Sequence, residues 1–309
     1  MSNRVLVVGS TNVDLITTVD NLPAPGETVL GHSFQQAHGG KGANQAVAAA
    51  RAGANVTFLS AVGEDDYGES CVSSFEAEGI DVSLIRKCPD SSTGIATITV
   101  DANGENCIVV ASGANGQLDQ GHIDGLLGPS LPYEVCVCQL ETPLDGVELA
   151  LMRCAEAGIT TILNPAPAVE LTDDLLTQVS CLTPNETEAE ALTGQLPTDI
   201  DSATRAAREL LKRGINTAII TLGALGAVLA DKDGCIHQSA RSIGVVDTTG
   251  AGDTFTGTLA AQVAGGQALR QALPYACCAA TLSVTRAGAQ PSIPTNRQVM
   301  QLVADFHES

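Results

Sequence analysis

Several things are scarce in this chain, and each scarcity removes a class of function. Basic residues are few: Lys plus Arg number 15 against 35 Asp plus Glu, a net charge of −20 in 309 residues. No run of Lys or Arg supplies the concentrated patch that a nucleic acid or an anionic membrane surface requires. Any anionic ligand must therefore be held locally, by helix N-termini, backbone amides and a few cations. Long apolar runs are missing too. Val5–Val8 follows Met1-Ser2-Asn3-Arg4 and stops at Gly9, far short of a signal sequence or a membrane span. The expectation is a soluble, cytoplasmic protein with neither nucleic-acid nor membrane partners. Ten cysteines are present, but no Cys-x-x-Cys pair. Cys136 and Cys138 fall in a strand-like run and Cys277 and Cys278 in a helical one, so they read as small reduced hydrophobes rather than zinc ligands or disulfides. The five histidines (32, 38, 122, 237 and 307) show no metal-ligand spacing. There is no repeat and no low-complexity tract.

What is present is a rhythm. Apolar runs at 4–9, 55–62, 134–140, 159–163, 179–183, 217–222 and 226–230 read as strands. Helical patterns at 42–52, 144–157, 171–178, 186–193 and 201–213 separate most of them, and the chain after 252 is mostly helical. Strands alternating with helices predict an α/β fold, a mostly parallel sheet covered on both faces. Two segments break the rhythm. Residues 94–111 alternate like a hairpin around Asn103-Gly104, and 13–37 are extended around Pro23, Pro25 and Gly26. These predict a small β-sheet projecting as a candidate lid, from about 13–38 and 93–112, on a single 1–309 unit.

Two glycine-rich turns carry candidate chemistry. Asp247-Thr248-Thr249-Gly250-Ala251-Gly252-Asp253 precedes an apolar helix. Free amides at a helix start make an anion site, and a carboxylate within it can take a proton from an alcohol. Asp253 reads equally as an N-cap. The turn is neither a Gly-x-x-x-x-Gly-Lys-[Ser/Thr] loop nor Gly-x-Gly-x-x-Gly, since position 255 is Phe. The second turn, Gly39-Gly40-Lys41-Gly42-Ala43-Asn44-Gln45, opens the Ala-rich helix and allows close backbone approach to a ligand.

Together, the segments 39–53 and 247–258 resemble the two signatures of the phosphofructokinase-B-type carbohydrate kinases, along essentially the whole chain. The closing Val284-Thr285-Arg286-Ala287-Gly288-Ala289-Gln290-Pro291-Ser292 resembles the ribokinases among them. The resemblance implies a Rossmann-like kinase fold and ATP-dependent phosphorylation of D-ribose at O5. It implies Asp253 as general base, with Gly250, Ala251 and Gly252 as anion hole. Asn12, Asp14, Gly40, Lys41, Gly42, Ala43, Asn44 and Glu141 would bind the sugar, with Ala96, Ile98 and Val110 as apolar cover. Asn185 would lie near the phosphates. Thr221, Leu222, Gly223, Ala224, Leu225 and Gly226 would pass under ATP, with Gly252 and Cys277 near it, although Cys277 stands where related enzymes often carry a polar residue. Glu188 would help organise Mg²⁺. Asp247, Thr249, Ser283, Arg286, Gly288 and Ser292 would bind an activating K⁺, mostly through carbonyl oxygens. A homodimer through the lid is implied as well.

Each assignment has a plainer counterpart. Asp14 reads also as a strand terminator, Asn185 and Glu188 as a capping box, Lys41 as a solvated lysine and Glu141 as a cap for the next helix. Deoxyribose, another pentose or hexose, or a nucleoside are rival substrates, and a non-catalytic sugar sensor is the rival of another class.

Overall fold

The computed structural model describes residues 2–307. Residues 1, 308 and 309 of the expected unit lie outside it, as do the side chains of Phe306 and His307.

In chain order the first elements are β1 (Arg4–Val8), β2 (Asn12–Thr18), β3 (Ser33–Gly39), α1 (Lys41–Arg51), β4 (Asn55–Gly63) and α2 (Asp66–Ala77). Then come β5 (Ile85–Cys88), β6 (Gly94–Val100), β7 (Asn106–Ala111), α3 (Gln120–Leu126), β8 (Val135–Cys138) and α4 (Leu144–Glu156). The middle holds β9 (Thr160–Leu163), α5 (Asp173–Leu176), β10 (Cys181–Leu182), α6 (Glu186–Thr193) and α7 (Ile200–Lys212). The last elements are β11 (Thr217–Thr221), β12 (Ala227–Asp231), β13 (Gly234–Gln238), α8 (Ala251–Ala264), α9 (Leu269–Ser283) and α10 (Asn296–His307).

Nine strands form one sheet in the order β13-β12-β11-β10-β9-β8-β1-β4-β5. The run from β5 to β11 is parallel; β12 and β13 add antiparallel pairs at one edge. Alternation along β1 explains the layers. Leu6 and Val8 enter one core with Leu59, Cys136, Leu163, Leu151 and Leu210, under α3, α4 and α7. Val5 and Val7 enter the other with Phe58, Val137, Ile162, Leu259 and Leu273, under α1, α8 and α9. Side chains one residue apart on a strand point to opposite faces, so a continuous apolar run needs helices on both. Phe58 and Phe75 meet edge-on at 5.3 Å and join β4 to α2.

The sheet is largely as expected, with local differences. The segment predicted at 226–230 runs antiparallel as β12, because only a short turn separates it from β11. The 179–183 strand shrinks to Cys181–Leu182 and the 171–178 helix to Asp173–Leu176. β5 and β13, edge strands that carry polar residues such as Arg86, Lys87 and His237, have no strong apolar pattern to reveal them.

A second, four-stranded sheet has the order β3-β2-β6-β7. Register places Asp14 beside Ala37 and Ala96, and Ala96 beside Val110. Asp14, Ala96, Ile98 and Val110 therefore share one face. Phe34, Ile108, Val109 and Val110 are exposed. All ten cysteines are free thiols, and all but Cys107 and Cys235 are buried or nearly so. Among the described residues no helix is long and apolar enough to cross a membrane.

Candidate active site

The site lies where the parallel strands end and the strand order reverses about β1, the usual ligand crevice of an open α/β sheet. The chain leaves β1 through Gly9-Ser10-Thr11, makes the β2–β3 excursion and returns at Gly40 to start α1. Gly40 has φ +90°, and a Cβ there would stand 2.8 Å from the Asn12 nitrogen and 2.9 Å from the Ser10 carbonyl oxygen. Only glycine fits. Glu141 joins these two pieces: its Oε2 accepts from the Ser10 hydroxyl at 2.5 Å and from the Lys41 backbone N–H at 3.0 Å. Glu141 is thus bonded to the first turn of α1, not to α4, whose N-cap is Pro143.

The structure separates the predicted sugar-side residues into two groups. Asn12, Asp14, Gly40, Lys41, Asn44 and Glu141 converge at the cleft. Gly42 and Ala43 do not present themselves there. The Ala43 N–H donates to the Ser10 carbonyl at 2.9 Å, and the Gly42 N–H to the Ser10 hydroxyl at 3.3 Å. A Cβ on Gly42 would lie 2.5 Å from backbone atoms of Gly9 and Ser10. Both residues form the packing joint between α1 and the end of β1.

Asp253 is not an N-cap. Gly250, in the left-handed region at φ 74°, caps α8, and Asp253 sits three residues inside it. Its carboxylate accepts from Asn44 Nδ2 at Oδ2 and from Gln45 Nε2 at Oδ1, both at 2.9 Å. Asp253 is buried at 7 % exposure. Burial pushes its carboxyl up, opposed by Lys41, Asn44 and Gln45. Burial lowers Lys41, but Asp253, Glu141 and Glu188 outweigh it and hold the ammonium above its ordinary value. Asp14 is pushed up to about 6 by burial, then by the charges of Glu141 and Asp253. Several carboxylates thus share one cation. Of the amides at the start of α8, that of Ala251 turns back to the Thr248 carbonyl at 3.2 Å, while those of Gly252 and Asp253 make no such backbone bond. The buried Asn44 Oδ1 has no protein partner.

Across the cleft, Asn185 caps α6 and forms the capping box with Glu188. Glu188 Oε2 accepts from the Asn185 N–H at 2.9 Å and Oε1 from its Nδ2 at 3.0 Å. The capping box does not withdraw Asn185 and Glu188 from the cleft: with Lys41, Thr221, Gly250, Ala251, Gly252 and Asp253 they line one cavity. Of the loop 221–226, Thr221 reaches that cavity. Leu222 turns its side chain into the core, so only its backbone can serve a ligand. Gly223, Ala224 and Leu225 form a 3₁₀ turn closed by the Leu222 N–H on Gly226 O. Cys277 is buried in α9, and burial pushes its thiol well up.

Beside the turn at Gly250, Asp247 Oδ1 accepts from the Thr249 N–H and hydroxyl and Oδ2 from the Gly288 N–H at 2.7 Å. Ser283 and Ser292 donate their hydroxyls to the carbonyls of Ala280 and Ala289.

The sequence profile of the pfkB family of carbohydrate kinases matches residues 2–296. The chain belongs to that family. It is 42 % identical over 303 residues to a ribokinase of Haemophilus influenzae, covering 98 % of this chain and 99 % of the relative. A deoxyribokinase of Salmonella typhi is 38 % identical over 295 residues, covering 95 % and 96 %. The structure of Arabidopsis thaliana ribokinase complexed with ribose and ATP superposes with a TM-score of 0.89 at 29 % identity, over 98 % of this chain and 99 % of that one.

In this pfkB-family chain the structure adds residues that had no assignment from sequence, some of them inside the two signatures. Asn164, Ala166, Thr183, Thr248 and Thr256 line the cavity. Gln139 and Gln45 lie buried behind Asp253. Asn115, after β7, accepts the Thr11 N–H and donates to the Thr11 carbonyl and to Asn12 Oδ1. This commits the oxygen of Asn12 to the protein and leaves its amide hydrogens for another partner. A signal for several of these was available. Gln139, Asn164 and Thr183 are each the first polar residue after an apolar strand, at the carboxyl end where α/β sheets bind ligands.

Proposed function

We propose that this kinase transfers the γ-phosphoryl group of ATP to O5 of D-ribose, giving ribose 5-phosphate. One observation carries the reading: a buried, doubly hydrogen-bonded Asp253 at the start of α8, between a polar cluster suited to a sugar and a cavity suited to phosphates. Asn12, Asp14, Asn44 and Glu141 offer amide hydrogens, carboxylate oxygens and the unpartnered Asn44 Oδ1 to sugar hydroxyls. Asp253 takes the O5 proton. The electron pair left on O5 attacks the γ-phosphorus in line, and ADP departs with the pair of the broken bond. Lys41 and the amides of Gly252 and Asp253 stabilise charge on the transferring group.

Transfer from a nucleoside triphosphate runs with a divalent cation, here Mg²⁺, which neutralises developing phosphate charge when bound. Among the described residues no cluster of three or more His, Cys, Asp and Glu could hold a metal. Glu188 already accepts two hydrogen bonds from Asn185. This fits an ion carried mainly by phosphates and water, with Glu188 and Asn185 orienting that water. The carbonyl-rich loops around Asp247, Thr249, Ser283, Arg286, Gly288 and Ser292 suit K⁺. The small sheet serves as lid, with the Ala96, Ile98 and Val110 face over the sugar, and its exposed apolar strands pair with a second copy. A cytoplasmic location goes with this reading, supported by ATP as donor and by thiols used as small hydrophobes.

A coupled ADP-release assay across D-ribose, 2-deoxyribose, other pentoses, hexoses and nucleosides, with and without K⁺, tests the reading. Ribose should give the highest kcat/KM, and Asp253→Asn should lose about 10²–10⁴-fold in turnover with ATP affinity retained. Preference for deoxyribose would transfer the assignment to that sugar, and no sugar-dependent ADP release would favour a sensor.

A further inference from the structure

Behind Asp253 lies a row of buried amides that the mechanism above leaves unused. Gln45 is fully buried, Gln139 is 1 % exposed and Asn164 6 % exposed. We propose that Gln45 is a positioning residue for phosphoryl transfer, holding Oδ1 of Asp253 so that Oδ2 alone receives the substrate proton. The inference rests on the reading of Asp253 as general base and goes beyond it in assigning the two carboxylate oxygens different duties.

The direction of every hydrogen bond in the row is forced from its ends. The Thr183 backbone carbonyl can only accept, and it takes Asn164 Nδ2 at 3.1 Å. Asn164 must then turn Oδ1 toward Gln45, which donates Nε2 to it at 3.0 Å. The same Nε2 carries a second hydrogen, given to Asp253 Oδ1 at 2.9 Å. Gln45 Oε1 accepts Gln139 Nε2 at 2.8 Å. Both Nε2 hydrogens and the oxygen of Gln45 are therefore engaged, and rotating its amide by half a turn would break three bonds at once. A carboxylate ordinarily pivots about its last torsion; this one is held by a group that cannot turn.

Asn44 differs. Its Nδ2 donates to Asp253 Oδ2, while its Oδ1 has no partner. It can release or share that bond when a hydroxyl arrives. Gln45, with no exposed surface, cannot meet a ligand. The substrate O–H therefore breaks toward Oδ2, a new O–H bond forms there, and Oδ1 keeps its Gln45 hydrogen bond throughout.

The test uses Gln45→Met, of similar length without the amide, and Gln45→Glu, in the full-length enzyme. Other charged groups around Asp253 (Lys41, Asp14, Glu141 and Glu188) remain in every variant. Loss of a donor to the ionised carboxylate raises its pKa, so the acid limb of the kcat–pH profile should move to higher pH in Gln45→Met and further in Gln45→Glu. Turnover should fall about tenfold to a hundredfold, the factor of one hydrogen bond to a charged group, with KM for sugar and ATP within about threefold of wild type. A merely structural glutamine would lower melting temperature and kcat together and leave the limb in place, and that outcome overturns the proposal. Should Gln45→Met fail to fold, Gln139→Met decides the matter: it frees Gln45 Oε1 without touching Asp253 and should move the limb the same way by less. An unmoved limb there refutes the role equally. Wild-type enzyme without sugar phosphorylation, or an Asp253→Asn variant of normal turnover, would remove the functional reading itself. Loss with Asp253→Asn but none with Gln45→Met removes only the role of Gln45.

Discussion

Lowering the pH from 7 to 5 should weaken sugar binding about tenfold, and the cause is Asp14. Its carboxyl sits near 6 because burial disfavours the charge and because Glu141 and Asp253 repel it. With a midpoint there, the ionised fraction falls from about nine-tenths at pH 7 to about one-tenth at pH 5. Only the carboxylate accepts from two hydroxyls; the protonated acid gives up part of that capacity. Calorimetric titration of ribose into Asp253→Asn separates binding from turnover and removes one of the two repelling charges. In that variant the midpoint should lie lower than in the wild type, yet stay above the ordinary carboxylate range, because burial is the larger cause. The sign for stability is opposite to common acid denaturation. The folded state binds this proton more tightly than the unfolded chain between about pH 4 and 6, so Asp14 adds stability as pH falls through that window and withdraws it as pH rises. Sugar affinity constant from pH 5 to 8, or a midpoint near 4, would refute the reasoning.

Further outcomes follow from other contacts. Gly42→Ala forces a Cβ to 2.5 Å from the Gly9–Ser10 backbone and should cost about 1–3 kcal/mol, seen as a lower denaturation midpoint. A wild-type midpoint would show that the joint has room. Asp247→Asn loses charge-assisted acceptance of the Gly288 N–H and should abolish K⁺ activation while sparing ribose affinity. Equal stimulation by K⁺ in both proteins would locate the ion elsewhere. Val109→Asp, on an exposed edge strand, should convert a dimer to monomers in sedimentation, and a wild-type protein already monomeric at micromolar concentration would dismiss the lid interface.

How far the sequence reached depended on the range of the forces involved. Local patterns were legible. The apolar runs of β1, β4 and β8 announced a sheet buried on both faces, and Asn103-Gly104 announced the hairpin of β6 and β7. Gly250 and Gly40 marked turns that only glycine can make. The two glycine-rich segments named the family, because so specific an order of residues has few other uses.

The rest needed the third dimension. Asp253 as cap or base could not be separated in sequence, since both uses place an Asp at a helix start. The cap is Gly250, and Asn44 and Gln45, about two hundred residues away in sequence, hold the Asp253 carboxylate. Gly42 and Ala43 belong to the same signature as Lys41, yet helix geometry turns them toward Ser10 while Lys41 faces the carboxylates. Gln139, inside the apolar run 134–140, and Asn164, just past the run 159–163, had no assignment until parallel pairing set the ends of β8 and β9 side by side. Sequence thus determined which residues could do chemistry at a phosphate and a hydroxyl. Tertiary structure alone decided which of them meet, because a hydrogen bond acts over three ångströms and the chain order does not encode who is that near.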